Sequence, residues 1–437
     1  MTDKKGGVRY NDYHMESFLI HGLQNDAFWE YGHHVIPPIT ASTTFRLDSV
    51  ERGHQGFVEF SEPKFQAKPG EKPIYIYDRV AEPTVALLEH SMMQAEQGET
   101  ATAFASGMAA INAAIGVLAS SGDGVISHRM VYGCTYSLFQ NWLPKSGISV
   151  DLIDMTDLEL LAATIKDNTR VIYFETPANP TLELLDVSAI SELVARVNEE
   201  RSTEEKIRVV VDNTFATSYC QRPLMLGADI VVHSLTKNIM GFGTDMGGIL
   251  VARELELHPD IRLYRKDYGG VLSPRAAWSI LVYGLPSLGL RVRKQVENCM
   301  KVSAFLESRK EIRAVYYPGL PSHPQHELAK QQMTDFNGEF MPGIMIYFEV
   351  DGEGESVMTN TKRLIDSVAD NSYSITLAVS LGQLKTLIEA PGLMTHSSYS
   401  ENAARSVGIG AGGVRLSIGV EDADDIIKDL AVALDSL

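Results

Sequence analysis

Through the middle of the chain, short apolar runs alternate with longer stretches whose apolar residues fall every third or fourth position. The runs are "GVIS" (124–127), "SVDLID" (149–154), "RVIYFE" (170–175), "RVVVD" (208–212), "DIVVHS" (229–234) and "GGILVA" (247–252). Runs that are apolar throughout predict strands covered on both faces. The intervening spacing predicts helices. "TVALLEHSMMQAEQG" (84–98) reads as one, with Thr84 as N-cap and Gly98 as C-cap, and "SGMAAINAAIGVLASSGD" (106–123) as another, opened by Ser106. Strands separated by helices predict an α/β fold, a mostly parallel sheet flanked by helices.

The two ends of the chain differ from the middle. Residues 1 to about 80 show little periodicity and are rich in Gly, Pro, His and aromatics; "FSEPKFQAKPGEKP" (60–73) reads as an exposed loop. Such a segment buries little of itself and is expected to lie on another surface, a second subunit being the natural one. Beyond residue 288, an amphipathic helix at 290–310 precedes strands at 343–350 and 413–420, which predicts a smaller C-terminal α+β domain. The expected division is therefore an arm (1–82), a large α/β domain (83–288) and an α+β domain (289–437).

Composition narrows the function. The 437 residues, 44% of them hydrophobic, suffice for two or three structural units. A net charge of −18 repels phosphate backbones and anionic lipid, so neither nucleic acid nor a membrane surface is expected as a partner. The three cysteines, Cys134, Cys220 and Cys299, have no disulfide or zinc spacing, and no secretory signal or membrane span is evident. A cytoplasmic protein is expected.

In an open parallel sheet, ligands sit beyond the carboxyl ends of the strands. The residues just after the strands are Glu175 and Asn179, Asp212, and Ser234, Thr236 and Lys237. A lysine in "VVHSLTKNIMGFGTDMGG" (231–248) is flanked by an apolar strand and a glycine-rich stretch, where burial lowers its pKa and makes it nucleophilic toward carbonyls. Asp212 is placed to hold a pyridinium nitrogen. Ser106, Gly107 and Met108 open a helix whose N–H groups suit an anion, to which Ser234 and Thr236 add hydroxyls. These are the parts that hold pyridoxal phosphate.

Two other motifs carry less. "GIGAGG" (408–413) fits G-x-G-x-x-G but precedes a strand, the reverse of a dinucleotide loop, which argues against a nicotinamide dehydrogenase. "HPQH" (323–326) offers two histidines without a third ligand, so helix-start packing is expected and no metal. A non-catalytic, cofactor-binding regulator is disfavoured because the nucleophile and its acid partners are present.

Seven segments, "FASGMAAI", "MVYGCTY", "ETPANP", "DNTFAT", "SLTKNIMGFGTDMGG", "YYPGLPSHPQHELAK" and "VRLSIGVED", occur in the order found in the Cys/Met-metabolism family of pyridoxal-phosphate enzymes, and the chain resembles that family over roughly residues 15–437. The resemblance implies the fold-type-I transferase architecture. It implies Lys237 as the Schiff-base lysine, Asp212 at the pyridine nitrogen, and Tyr132 stacked on the cofactor ring and serving as an acid. It places Gly107, Met108, Ser234 and Thr236 at the phosphate, and Asn179, Ser380 and Arg415 at the substrate carboxylate; a planar guanidinium binds a carboxylate bidentately. Tyr77 and Arg79 in "YDRVAEPT" match a Tyr-x-Arg motif that serves the neighbouring subunit's phosphate, within a homotetramer built from two dimers. Glu82 replaces the family's usual Asn, and the stretch 53–73 is longer than usual.

Within the family, three features lean toward γ-elimination on methionine, giving 2-oxobutyrate, ammonia and a thiol. Cys134 follows "YG", where most synthases and cystathionine lyases carry Gly, and is a further catalytic candidate. Lys266 and Asp267 form a Lys-Asp pair. Val379 stands where cystathionine γ-lyases tend to have Glu. The alternatives are γ-replacement on an acylated homoserine and cystathionine γ-lyase chemistry.

Overall fold

The computed structural model describes residues 13–22, 34–61, 73–352, 355–394, 410 and 412–437. Its larger sheet has seven strands: β1 (Thr100–Phe104), β2 (Gly124–His128), β3 (Ser149–Ile153), β4 (Thr169–Glu175), β5 (Arg208–Asp212), β6 (Ile230–His233) and β7 (Gly248–Ala252). Their order is β1-β7-β6-β5-β4-β2-β3. From β6 to β3 the strands are parallel, and β7 runs antiparallel to both β1 and β6. Every strand read from the apolar runs is present within two residues. β1, "TATAF", was not anticipated: its small residues carry no apolar run, yet it is buried along its whole length.

Helices cover both faces. The helix Gly107–Leu118 packs Ala110, Ile111 and Ile115 against Val210, Val232 and Leu250. On the opposite face, Pro83–Glu96 places Val85, Leu88 and Met92 against Val231 and Val251, and Val187–Asn198 places Ile190 and Val194 against Val209 and Val211. Strand residues thus alternate between two apolar layers, which is why the strands read as continuous apolar runs. The caps of Pro83–Glu96 differ from expectation. Glu82 is the N-cap, its carboxylate accepting the Val85 N–H, and Gln97, in a left-handed conformation, is the C-cap. Thr84 stands two positions after the N-cap, already inside the helix; its hydroxyl instead meets Glu82 and the Thr40 N–H.

A second sheet comprises β8 (Ile312–Tyr316), β9 (Met345–Val350), β10 (Ile375–Leu377), β11 (Thr386–Glu389) and β12 (Gly413–Ser417), ordered β10-β11-β12-β9-β8. It shares one core with the helices Glu355–Asn371 and Ala423–Leu434 and the far end of Leu285–Glu307, through Val302, Leu306, Phe348, Leu364, Leu416 and Ile426. Leu285–Glu307 begins earlier than its periodicity predicts, because the apolar Leu285 and Leu288 belong to its buried face.

The N-terminal segment is more regular than its composition suggests. It contains the helices Met15–His21 and Val50–Ser61. Phe18 and Leu19 pack on Ala95, and the Trp278 indole N–H donates to the Pro37 carbonyl at 2.7 Å. Most of the loop expected at 60–73, and part of "GIGAGG", lie outside the described residues. Among the described residues, no helix is long and apolar enough to cross a membrane.

Candidate active site

Because β4, β5 and β6 are parallel, their carboxyl ends share one edge of the sheet, and the polar residues after them converge there. Asp212 ends β5 and pairs in register with Glu175, which ends β4. Asp212 Oδ1 accepts the Thr214 N–H at 2.9 Å, and the Tyr173 hydroxyl donates toward Oδ2 at 3.4 Å. Burial raises the Asp212 pKa, and the Thr214 donors oppose that rise.

Lys237 lies in the loop after β6. Its N–H donates to Ser234 O, and its carbonyl accepts from Gly241 N–H at 2.9 Å. Gly241 has φ +76°, and a Cβ there would collide with the Arg291 guanidinium. Arg291 fills that space and donates to the carbonyls of Asn238, Ile239 and Gly284. The loop is therefore pinned to the long helix by a buried arginine whose hydrogen bonds are all to polar acceptors, the condition under which a buried charge is tolerated. The Lys237 Nζ donates to the Ser380 hydroxyl at 3.0 Å. Burial, then the nearby Arg415 charge, lower its pKa.

The helix Gly107–Leu118 starts beside this loop. Ser106 is its N-cap and accepts the Ala109 N–H. That leaves the Gly107 and Met108 amides in a first turn with no intrahelical acceptors. A Cβ on Gly107 would lie 2.8 Å from the Ser234 Cβ, so glycine is what allows helix start and β6 end to approach. The Met108 sulfur accepts from the Thr135 hydroxyl at 3.9 Å. The Thr236 hydroxyl is engaged with Gly247, donating to its carbonyl and accepting from its N–H, so here it closes its own loop.

Arg415, on β12, is 4% exposed. It donates to Asn179 Oδ1 and to the Ser380 carbonyl, both at 2.9 Å, and faces Glu389 at 2.9 Å. Asn179, Ser380 and Arg415, which sequence reading assigned to one role, thus form one cluster, and Ser380 joins it to Lys237. Glu389, on the neighbouring β11, was not anticipated; no motif marks it, and only the register Glu389↔Arg415 brings it there. Burial lowers the Arg415 pKa and Glu389 opposes this.

Tyr132, 37% exposed, precedes the short helix Gly133–Ser137, and its backbone N–H donates to Glu175 Oε1 at 2.8 Å. Burial, with the neighbouring Cys134 adding to it, pushes its phenol up to about 12, so the hydroxyl holds its proton at neutral pH. Cys134 is exposed beside it. Tyr77 and Arg79 stand apart. Arg79 lies over the Tyr77 ring and donates to the Lys266 carbonyl, and Tyr77 bridges to Thr44. Lys266 and Asp267 are 3.3 Å apart.

His323 Nδ1 accepts the Gln325 N–H, and His326 Nδ1 lies 2.8 Å from the Pro318 carbonyl, so both rings serve local packing. His128, Asp154 and Glu183 have metal-ligand spacing. His128 Nδ1 accepts the Met155 N–H, however, which leaves Nε2 as the protonated nitrogen, 3.1 Å from Glu183.

The cluster fits a phosphorylated pyridine aldehyde. A glycine-lined helix start suits the phosphate, a strand-end carboxylate suits a ring nitrogen, and an amine of lowered pKa suits the aldehyde. Residues 16–435 match the model of the Cys/Met metabolism PLP-dependent enzyme family. The chain belongs to this family. It is an enzyme, and its cofactor is pyridoxal phosphate. Relatives include the L-methionine gamma-lyase of Fusobacterium nucleatum subsp. polymorphum, 40% identical over 92% of this chain and 93% of that one. The cystathionine beta-lyase of Lactococcus lactis subsp. cremoris is also 40% identical, over 84% of this chain and 90% of its own. Among solved structures, cystathionine gamma synthase from Xanthomonas oryzae pv. oryzae, in complex with aminoacrylate and cysteine, superimposes with a TM-score of 0.82 at 30% identity, covering 97% of this chain and 98% of that one. The fold is therefore that of fold-type-I pyridoxal-phosphate enzymes, and the chemistry is that of a C–S lyase or transferase acting on amino acids.

Proposed function

We propose that the enzyme cleaves L-methionine by γ-elimination, giving 2-oxobutyrate, ammonia and methanethiol, with water consumed. The observation that carries this reading is the Tyr132 hydroxyl, kept protonated by burial, on the same sheet edge as the Lys237–Ser380–Arg415 chain. A departing thiolate needs a proton, and this acid is placed to supply one. The methionine γ-lyase relatives and the Lys266–Asp267 pair favour the same reading.

In this reading, the Arg415 guanidinium and Asn179 hold the substrate carboxylate, with Ser380 fixing the arginine. Gly107, Met108, Ser106 and Ser234 hold the cofactor phosphate, with Thr236 turning its hydroxyl from the Gly247 carbonyl to join them and Tyr77 and Arg79 coming from a second copy. The oligomer is a homotetramer of two such dimers, and the enzyme is cytoplasmic. Asp212 keeps the ring nitrogen protonated. Pyridoxal phosphate, when bound, supplies the carbonyl carbon for the substrate amine and the sink for the Cα electron pair. The Lys237 amine accepts the Cα proton at Nζ, and its lowered pKa makes the neutral base available. Tyr132 delivers its proton to the γ-sulfur, and Cys134 orients that hydroxyl. In this reading the α/β domain (83–288) and the α+β domain (289–437) build the site, and the arm (1–82) of a second copy completes it.

The relatives named cystathionine lyases and synthases favour a second reading, cleavage or formation of cystathionine. A panel of methionine, cystathionine, homocysteine and acylated homoserine with and without cysteine separates the two. Methionine breakdown to a 2-oxo acid and ammonia supports the first; vigorous cystathionine synthesis with negligible methionine breakdown contradicts it.

A further inference from the structure

Glu175 has no part in the chemistry above, yet it is 6% exposed at the edge where that chemistry takes place. It ends β4 directly beside Asp212 on β5. Its Oε1 receives the Tyr132 backbone N–H at 2.8 Å, which ties the end of β4 to the turn that follows β2. The titratable groups facing it are Asp212 from β5, Tyr132 from that turn and Tyr173 on its own strand.

We propose that Glu175 is a positioning residue: its carboxyl group grips the Tyr132 backbone amide and thereby fixes where the Tyr132 hydroxyl stands, acting as a hydrogen-bond acceptor and not as an anion. This rests on the reading of Tyr132 as the acid.

Two buried carboxyl groups side by side do not both ionise cheaply, and the one with more donors ionises first. Asp212 has the Thr214 amide and the Tyr173 hydroxyl. Burial, and then the Asp212 charge, hold Glu175 well above the usual carboxylate range. A neutral Glu175 leaves Asp212 as the single negative charge opposite a ring nitrogen, while its carbonyl oxygen still accepts from Tyr132. The anchor is on the backbone of Tyr132, so it sets the origin of the side chain without engaging the hydroxyl.

The test uses the holoenzyme with two substrates that differ in leaving group. One is the thiol-releasing substrate that turns over fastest in the panel, methionine in our reading, whose thiolate needs a proton. The other is O-acetylhomoserine, whose carboxylate leaves without one. Glu175→Gln keeps the acceptor without the charge, and Glu175→Leu removes the acceptor at similar volume. We expect Glu175→Gln to stay within about threefold of the parent on both substrates. Glu175→Leu should lose about tenfold or more in kcat on the thiol substrate and at most about threefold on the acetyl one, as displacement of a general acid implies. Equal losses on both substrates, no loss in Glu175→Leu, or a Glu175→Gln enzyme as damaged as Glu175→Leu would each overturn the proposal. If Glu175→Leu does not fold, Glu175→Gln decides alone: an unchanged ratio of the two rates supports the acceptor role and a changed one overturns it. Tyr132→Phe separates the two layers. An unaffected Tyr132→Phe enzyme overturns the acid reading and this proposal with it; a slowed Tyr132→Phe beside an unaffected Glu175→Leu overturns this proposal alone.

Discussion

Ser380 stands between Lys237 and Arg415: its hydroxyl accepts from the lysine Nζ at 3.0 Å and its carbonyl from the arginine at 2.9 Å. It does so at φ +91°, a conformation that disfavours any side chain. Backbone strain of this kind costs on the order of 1–3 kcal/mol and persists where surrounding structure enforces it. Ser380→Ala and Ser380→Gly both remove the hydroxyl, but only glycine relieves the backbone. Ser380→Gly should be more stable than Ser380→Ala by about 1 kcal/mol in denaturant unfolding, while both lose activity similarly. Equal stability would show that the serine backbone is unstrained.

Arg415 should depend on its fork. Arg415→Lys keeps the charge but cannot serve Asn179, Ser380 and a carboxylate together. KM should rise about tenfold or more with cofactor content unchanged, as replacing a bidentate contact by a point charge implies. Steady-state kinetics beside cofactor absorbance tests this; an unchanged KM places the carboxylate elsewhere.

Gly107 should be intolerant of a side chain. Gly107→Ala puts a Cβ against Ser234, and the helix start or the strand end has to move. Pyridoxal phosphate should bind about tenfold or more weakly to the reconstituted apoenzyme, in line with the loss of aligned donors to an anion. Parent-like affinity would remove the phosphate from this helix start.

Glu82 makes stability pH-dependent. Burial raises its pKa from 4.5 to about 7, with the nearby Asp78 charge adding to the rise. The folded state therefore binds more protons than the unfolded one between those values. The contribution is complete below pH 4.5 and is lost as pH rises through about 7. Relative to Glu82→Gln, the parent should lose up to about 3 kcal/mol of stability across that window. Thermal unfolding at a series of pH values tests this, and parallel curves for the two proteins would contradict it.

Much of this was legible in the residues. Strands buried on both faces produce apolar runs, so six of the seven strands of the larger sheet stood out; "TATAF" did not, because alanine and threonine carry no such signal. The strand-end rule brought Asp212, Lys237 and Glu175 into view together, since a parallel sheet gathers those ends. Glu389 was invisible because it meets Arg415 only through pairing of β11 with β12. Glu175 was visible as a residue but not as a contact, for the Tyr132 amide that it accepts belongs to a turn 43 positions away. The helix caps at 82 and 97 were missed because a glutamate is an uncommon N-cap and left-handed Gln97 gives no glycine signal.

The account turns on Lys237 carrying the cofactor. Borohydride reduction of the holoenzyme, followed by proteolysis and mass spectrometry, reads the attachment point directly. A pyridoxyl phosphate adduct on Lys237, absent from Lys237→Ala, is the result expected; an adduct on any other lysine, with Lys237 unmodified, would contradict it.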